Sequence, residues 1–244
     1  MQQWKPMFDN IKKLGFNPKT VINVGVASDT EELYQLFPDA EYLLIEPIVE
    51  FEPSLKSICQ KYNGHYELCA AGPTDSDVSF YILNNLGGSS IFKTLESIAG
   101  AATYTERTVP QRKIDTLWKQ YNLSGPALLK VDTQGGELSV LEGATECLES
   151  FEFILLEVSL IESYQGRPIL HNVIEFMASK EFVAFDMTPG AYSGNGLLSE
   201  FDMLFAKKDG QYRSNQWSFS SAAESQRYDQ ESAIRGYGGI TLKK

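Results

Sequence analysis

Residues 21–46 read VINVGVASDTEELYQLFPDAEYLLIE: a β-branched apolar run, a glycine, a helical stretch, and a second apolar run that ends in a carboxylate. In an open, doubly wound α/β sheet the turn after the first strand supports a nucleoside. An acid at the tip of the next strand, about twenty residues on, accepts hydrogen bonds from ribose hydroxyls. Gly25 supplies the turn and Glu46 the acid, and Pro47 fixes the backbone that follows.

A dinucleotide site uses G-x-G-x-x-G so that backbone amides can cradle a pyrophosphate at a helix start. Here the second and third glycine positions hold Ala27 and Thr30. The crevice is therefore shaped for an adenosine carrying no phosphate, and S-adenosylmethionine (SAM) is the common cofactor of that description. The expected cofactor contacts are Asn23, Gly25, Glu46 and Ala71, at the carboxyl ends of the first three strands, with Ser28 and Pro47 beside them. Removing Glu46 should weaken donor binding with little effect on folding. The bland alternative is a glycine that merely turns the chain and a strand-end acid facing solvent.

At 244 residues the chain can bury one sizeable core, and a second full domain is not expected. The formal net charge of -11, without clustered Lys and Arg, argues against a nucleic-acid-binding face. Cys59, Cys69 and Cys147 are far apart and lack C-x-x-C spacing, so they read as small buried apolar residues. The N-terminal MQQWKPMFDNIKKLGF has no uninterrupted apolar core of a signal peptide, and no apolar run approaches a membrane span. A reducing, cytoplasmic setting follows as the expectation, with no membrane partner.

Apolar runs bounded by Gly, Pro and Asn alternate with helical patterns, the signature of βαβ units around a mainly parallel sheet. Seven strands are expected: Thr20 to Val26, Tyr42 to Glu46, His65 to Ala71, Ala127 to Asp132, Phe151 to Val158, Phe182 to Met187 and Phe201 to Lys207. Val78 to Leu83 and Thr108 to Ile114 form a hairpin-like excursion between the third and fourth. Ser28 to Glu31 has the capping-box pattern, Glu137 to Ser150 is amphipathic with Gly143 as a weak point, and Pro168 suits the first turn of a helix running to Lys180.

The Gly- and Ser-rich link Thr188 to Glu200 is too irregular for a helical crossover, so the last strand should return antiparallel at the sheet edge. The expected organisation is a helical extension over residues 1–19, an α/β domain over 20–208, and a polar tail or arm over 209–244 anchored by Trp217 and Phe219. An arm that joins copies into an oligomer is compatible with that composition, though nothing in it requires one.

From Thr20 to Lys208 the sequence resembles the FkbM family of SAM-dependent methyltransferases. The likeness is carried, in order, by LGFNPKTVINVGVASD, LLIEP, CAAGPTDSDVSFYI, GGSSIF, QRKIDTLW, LLKVDTQGGELSVLEGA, ILLEVSLIESYQG and FDMLFAKK. It implies a class I methyltransferase (Rossmann-like) fold with helices on both faces of the sheet, and SAM as donor. It also implies methylation of a hydroxyl on a sugar, glycan or natural-product acceptor. The chain departs from the family pattern where Asn23 replaces an Asp and Asp29 a second Gly. In K-[IV]-D-x-E-G the acid gives way to Gln134, removing one candidate base or metal ligand.

Methyl transfer to oxygen is an in-line displacement in which the acceptor hydroxyl sheds a proton, so alignment and a positioned base are what a protein supplies. Asp132, at the carboxyl end of the fourth strand beside the switch point, is the expected base. Lys130 points to the same face two residues earlier and would orient Asp132 or the acceptor, the plain alternative being an ion pair. Glu157 would join as a second carboxylate, or as an oxygen ligand if a divalent cation were used, which two acids alone do not predict.

The polar loop Asn84–Asn85 to Ser89–Ser90, with Tyr164 and Gln165, would line the acceptor pocket; Asn85, Ser89, Ser90 and Tyr164 are its expected contacts. His171, just inside a helix start and without companion spacing, reads as a surface or capping residue, and His65, which begins a strand, is less suggestive still. Two rival functions are a non-catalytic nucleoside-binding module derived from this fold and a nicotinamide-dependent oxidoreductase. The missing pyrophosphate glycines argue against the second.

Overall fold

A computed structural model describes residues 4–27, 30–95, 104–213 and 226. The chain divides into two units, Met1–Arg213 and Ser214–Lys244; the description below concerns the first. Ser28, Asp29, Trp217 and Phe219 lie outside the described residues.

The first unit opens with helix α1 (Lys5–Lys13), then strand β1 (Thr20–Val24), α2 (Glu31–Leu36), β2 (Glu41–Ile45), α3 (Glu52–Lys61) and β3 (Gly64–Glu67). A small insertion follows: β4 (Ala70–Ala71), β5 (Ser76–Leu83) and β6 (Tyr104–Arg112). The chain then runs through α4 (Ile114–Gln120), β7 (Ala127–Val131), α5 (Glu137–Glu142), β8 (Phe151–Ser159), α6 (Leu170–Ser179), β9 (Phe182–Met187), β10 (Ala191–Tyr192) and β11 (Leu198–Lys207).

The main sheet is ordered β10-β11-β8-β7-β1-β2-β3, with β9 also paired to β11. Strands β3, β2, β1, β7 and β8 run parallel, and β11 runs antiparallel to both β8 and β9. The reversed strand expected at the edge is thus present but sits inside the sheet, with β9 and β10 beyond it. A short link allows the chain to turn back, and the open slot beside β8 buries more of β11 than the rim would. Leu204 and Phe205 are fully buried there.

Side chains alternate across these strands and feed two cores. Ile22, Val24, Leu129 and Val131 face Ile114, Leu117, Val140, Leu141, Val173 and Met177 of α4 to α6. Val21 and Leu128 face the other way, against Trp4, Met7, Phe8, Leu33, Tyr34 and Leu55 of α1 to α3. Full burial of each large apolar side chain contributes about 1.5–3 kcal/mol, so α1 is fastened by Phe8 and Ile11, both without exposed surface.

Three sequence expectations change in detail. His65 to Ala71 is split: β3 closes the main sheet, and the chain then bends so that Cys69 enters one core while Ala70 and Ala71 pair with β6 in a second sheet, β4-β6-β5. The helix at Glu137 ends at Glu142 with Gly143 as its cap, a position only glycine can fill because a Cβ there would lie 2.1 Å from the Gly72 carbonyl oxygen. The segment beyond it is held instead by the Asp115 carboxylate, which accepts from the N–H groups of Glu146 and Cys147 and from the Thr145 hydroxyl. Pro168 stands just before Ile169, the residue that precedes α6, and so is outside its first turn. Cys69 and Cys147 are buried and Cys59 half-buried, all as free thiols.

Candidate active site

The loop after β1 is shaped by contact with β7. Gly25 has φ +73°, and a Cβ there would meet the Asp132 carbonyl oxygen at 1.7 Å, so glycine alone fits. Ala27 follows with φ +45°, left-handed for a residue with a side chain. What holds it is Glu46, whose Oε2 accepts from Ala27 N at 3.0 Å while Oε1 accepts from Ile48 N at 3.0 Å. Glu46 is therefore a buried brace joining the loops after β1 and β2, only 4% exposed. Burial pushes its pKa up, and the two backbone donors and the Lys130 ammonium oppose that rise. The capping role expected of Ser28 falls outside the described residues; α2 starts at Glu31, and the Thr30 hydroxyl makes no cap bond.

Glu46 faces a cleft at the carboxyl ends of β1, β2 and β7. One wall is polar: Gly25, Glu46, Asp132, Thr133 and Gln134. The other is apolar, formed by Ile48 and Phe51 after β2, Ala70 and Ala71, and Phe80, Leu86 and Ile91 from the inserted hairpin and its loop. Pro47 and Ser89 also reach the cleft. The sequence reading missed this apolar wall. The alternation Val78, Phe80, Ile82 along β5 was its visible signal, since one face of that strand had to be covered.

A buried acid beside an apolar wall is the kind of surface a nucleoside uses, since carboxylate oxygens retain lone pairs for hydroxyls and an apolar wall accepts an aromatic ring. The Gly25 turn lets the backbone come close.

Asn23 does not join them. Its carboxamide is turned under α2, where Nδ2 donates to the Thr30 hydroxyl at 3.1 Å and the Tyr34 hydroxyl at 2.9 Å; its Oδ1 is buried without a partner. An Asp in that place would meet the same two hydroxyls.

Beside the cleft, the ends of β7 and β8 carry a dense polar cluster. Lys130 is sealed below it, donating to the Gly25 carbonyl at 3.2 Å and to Asp132 Oδ2 at 3.3 Å, with the Trp4 ring 5.7 Å from its ammonium. Asp132 reaches the cleft with its side chain 20% exposed. Gln134 donates from Nε2 to Asp132 Oδ1 at 3.1 Å and to Glu157 Oε2 at 2.9 Å. Arg167 donates to the same Glu157 oxygen at 2.9 Å. Burial, joined by the Asp132, Glu200 and Glu137 charges, pushes the Glu157 carboxyl well above the usual range despite Arg167.

Asp202, opposite Glu157 on β11, is likewise raised to about 6, chiefly by burial, with the Trp4 indole N–H bond opposing. Arg167 and Asp202 had no signal in the sequence: each is a lone charged residue whose burial depends on strand order.

Of the expected acceptor contacts, Ser89 and Ser90 are buried and hydrogen-bonded within the protein, Ser89 also lining the cleft. Ser89 Oγ accepts from Leu83 N, and Ser90 Oγ donates to the Gln134 carbonyl at 2.8 Å. Tyr164, 6% exposed, bonds from its hydroxyl to the Gly88 carbonyl at 2.8 Å and to Gln134 Oε1 at 3.1 Å; burial raises its pKa to about 12, keeping it a donor. Asn85 is exposed at the loop tip. His171 and His65 are exposed, away from the cleft. Among the described residues no group of three or more His, Cys, Asp or Glu is placed to hold a metal ion, and no helix is long and apolar enough to cross a membrane.

A mostly parallel sheet with one reversed strand beside β8, and a cleft at the carboxyl ends of β1, β2 and β7, are the architecture of a class I methyltransferase fold. Residues 18–184 match the methyltransferase FkbM domain, and the chain belongs to that family, whose methyl donor is SAM. It is 24% identical over 195 residues to the 2-O-methyltransferase NoeI of Sinorhizobium fredii (strain NBRC 101917 / NGR234), covering 73% of this chain and 78% of the relative.

Among solved structures it is remotely similar to magnesium protoporphyrin IX methyltransferase (ChlM) from Synechocystis PCC 6803 with bound SAM. The identity is 6%, the TM-score 0.46, and the coverage 83% and 77% of the two chains. It is also similar to Burkholderia thailandensis 1,6-didemethyltoxoflavin-N1-methyltransferase, at 9% identity and TM-score 0.43, covering 84% and 78%.

Proposed function

We propose that this methyltransferase acts on oxygen, transferring the methyl group to a hydroxyl of a sugar, glycan or other polyhydroxylated small molecule, in a reducing cytoplasmic setting. The observation that carries the reading is Asp132: a carboxylate at the mouth of the nucleoside cleft, held from below by Lys130 and from the side by Gln134, with its outer edge open. The 2-O-methylation named for the curated relative supports an oxygen acceptor.

When bound, SAM supplies an electrophilic methyl on a sulfonium. Glu46 and the Ile48–Phe51 shelf hold the nucleoside end, and Asp132 accepts the proton that the acceptor hydroxyl loses as its oxygen bonds to carbon. The Lys130 ammonium fixes the carboxylate's orientation and offsets its charge while it is ionised. Glu157, tied to Gln134 and Arg167, backs the site from within and does not border the cleft.

The test is transfer of radiolabelled methyl from SAM to a panel of mono- and oligosaccharides and phenolic aglycones. Label should appear on an oxygen, and Asp132→Asn should lower the turnover number by roughly 10²–10⁴-fold with S-adenosylhomocysteine affinity changed less than threefold. Label on nitrogen or carbon, or an Asn variant as fast as the wild type, would remove this reading.

A further inference from the structure

Gln134 stands where the family pattern has an acid, and its surroundings give that exchange a purpose. Its backbone is left-handed, φ +56°, a conformation glycine takes more readily than glutamine. A long side chain at such a position carries a backbone cost, so its contacts are what the position gains from it. We propose that Gln134 is a positioning residue: its amide clamps Asp132 and Glu157 to one another, fixing the base that faces the acceptor and joining it to the loops carrying Ser90 and Tyr164.

The orientation of the amide follows from its partners. Asp132 Oδ1 at 3.1 Å and Glu157 Oε2 at 2.9 Å both accept, Glu157 doing so even while its raised carboxyl keeps a proton on the other oxygen, so the side facing them is NH₂ and the amide carbonyl faces the Tyr164 hydroxyl 3.1 Å away. One planar group thereby sets two carboxylates from strands β7 and β8 at a fixed separation. The Gln134 carbonyl, receiving Ser90 Oγ at 2.8 Å, carries the same constraint to the loop after β5.

The charged and titratable groups around the pair are Glu46 after β2, Lys130 on β7, Glu137 on α5, Tyr164 and Arg167 after β8, and Glu200 and Asp202 on β11. Lys130 and Arg167 are their buried cations; the two N–H bonds of Gln134 supply the remaining donors between Asp132 and Glu157. With a carboxylate in place of the amide, three acids would share one space, and at least one would keep its proton to higher pH.

The inference rests on Asp132 being the base, yet its test needs no acceptor. Asp and Glu side-chain carboxyls labelled with ¹³C would be titrated by NMR in the wild type, Gln134→Glu and Gln134→Met, and S-adenosylhomocysteine affinity measured by calorimetry in each. Gln134→Met keeps the length without the donors and serves should the Glu variant fail to fold. The expected result is that a carboxyl of the Asp132–Glu157 pair titrates at least one pH unit higher in the variants, with ligand affinity within threefold of wild type. Titration curves that superimpose on the wild type would overturn the clamp. An upward shift in a protein that binds no S-adenosylhomocysteine would leave the clamp standing and bring down the methyltransferase reading instead.

Discussion

Single residues here show that a carboxylate's role depends on what shares its burial. Glu46 looked like a strand-end acid whose loss would spare the fold; in fact both its oxygens accept backbone N–H bonds. Glu46→Ala leaves those two donors unpaired, at about 1–3 kcal/mol each, so a loss of roughly 2–4 kcal/mol in urea denaturation is expected alongside weaker donor binding. Unchanged stability would show that the brace is not formed.

Asp202 has the opposite character. Burial raises its pKa from 3.8 to about 6, so the folded protein holds that proton more tightly than the unfolded chain does. Stability should therefore fall as pH rises through this window. Asp202→Asn keeps an oxygen for Trp4 and removes the charge, so it should match the wild type near pH 4 and exceed it by about 1–3 kcal/mol at pH 8. Equal differences at both pH values would contradict this.

Elements owe their ends to contacts between distant segments, which is where the sequence was least legible. The helical period from Glu137 to Ser150 is genuine, but it cannot show that the Gly72 carbonyl packs so closely on position 143 that only glycine fits there, at the end of the helix. Asp115, in a motif read only as part of the family likeness, takes over there by holding residues 145–147. Burial pushes its carboxyl up, but the Cys147 and Glu146 N–H donors outweigh burial and hold it below its ordinary value. Its contribution is thus present at neutral pH and lost in acid, the reverse of Asp202. Asp115→Ala should cost about 2–4 kcal/mol at pH 7 and measurably less once the pH falls below the titration of the folded carboxyl, measured by denaturant titration. An equal cost at both would mean that the carboxylate charge plays no part.

At the scale of the whole molecule, the sequence revealed the strands that its own alternation encodes: β1, β2, β7, β8, β9 and β11 all lie where the apolar runs placed them. Gly25, Glu46, Pro47, Ala71 and Asp132, all near strand ends or in the turns after them, meet in one cleft. Residues whose meaning depends on sheet order escaped it. Lys130 and Asn23, register neighbours on the α1–α3 face, are turned below the cleft, and Arg167 and Asp202 arrive from segments the chain order does not place beside β7.

The architecture leaves a nucleoside slot bounded by an acid and an apolar shelf, and the most direct measurement is calorimetric titration of ligand-free protein with S-adenosylhomocysteine and, separately, with NAD. One-to-one binding of S-adenosylhomocysteine is expected, weakened at least tenfold in Glu46→Gln, with no heat from NAD at millimolar concentration. Silence from S-adenosylhomocysteine, or saturable binding of NAD in its place, would contradict it.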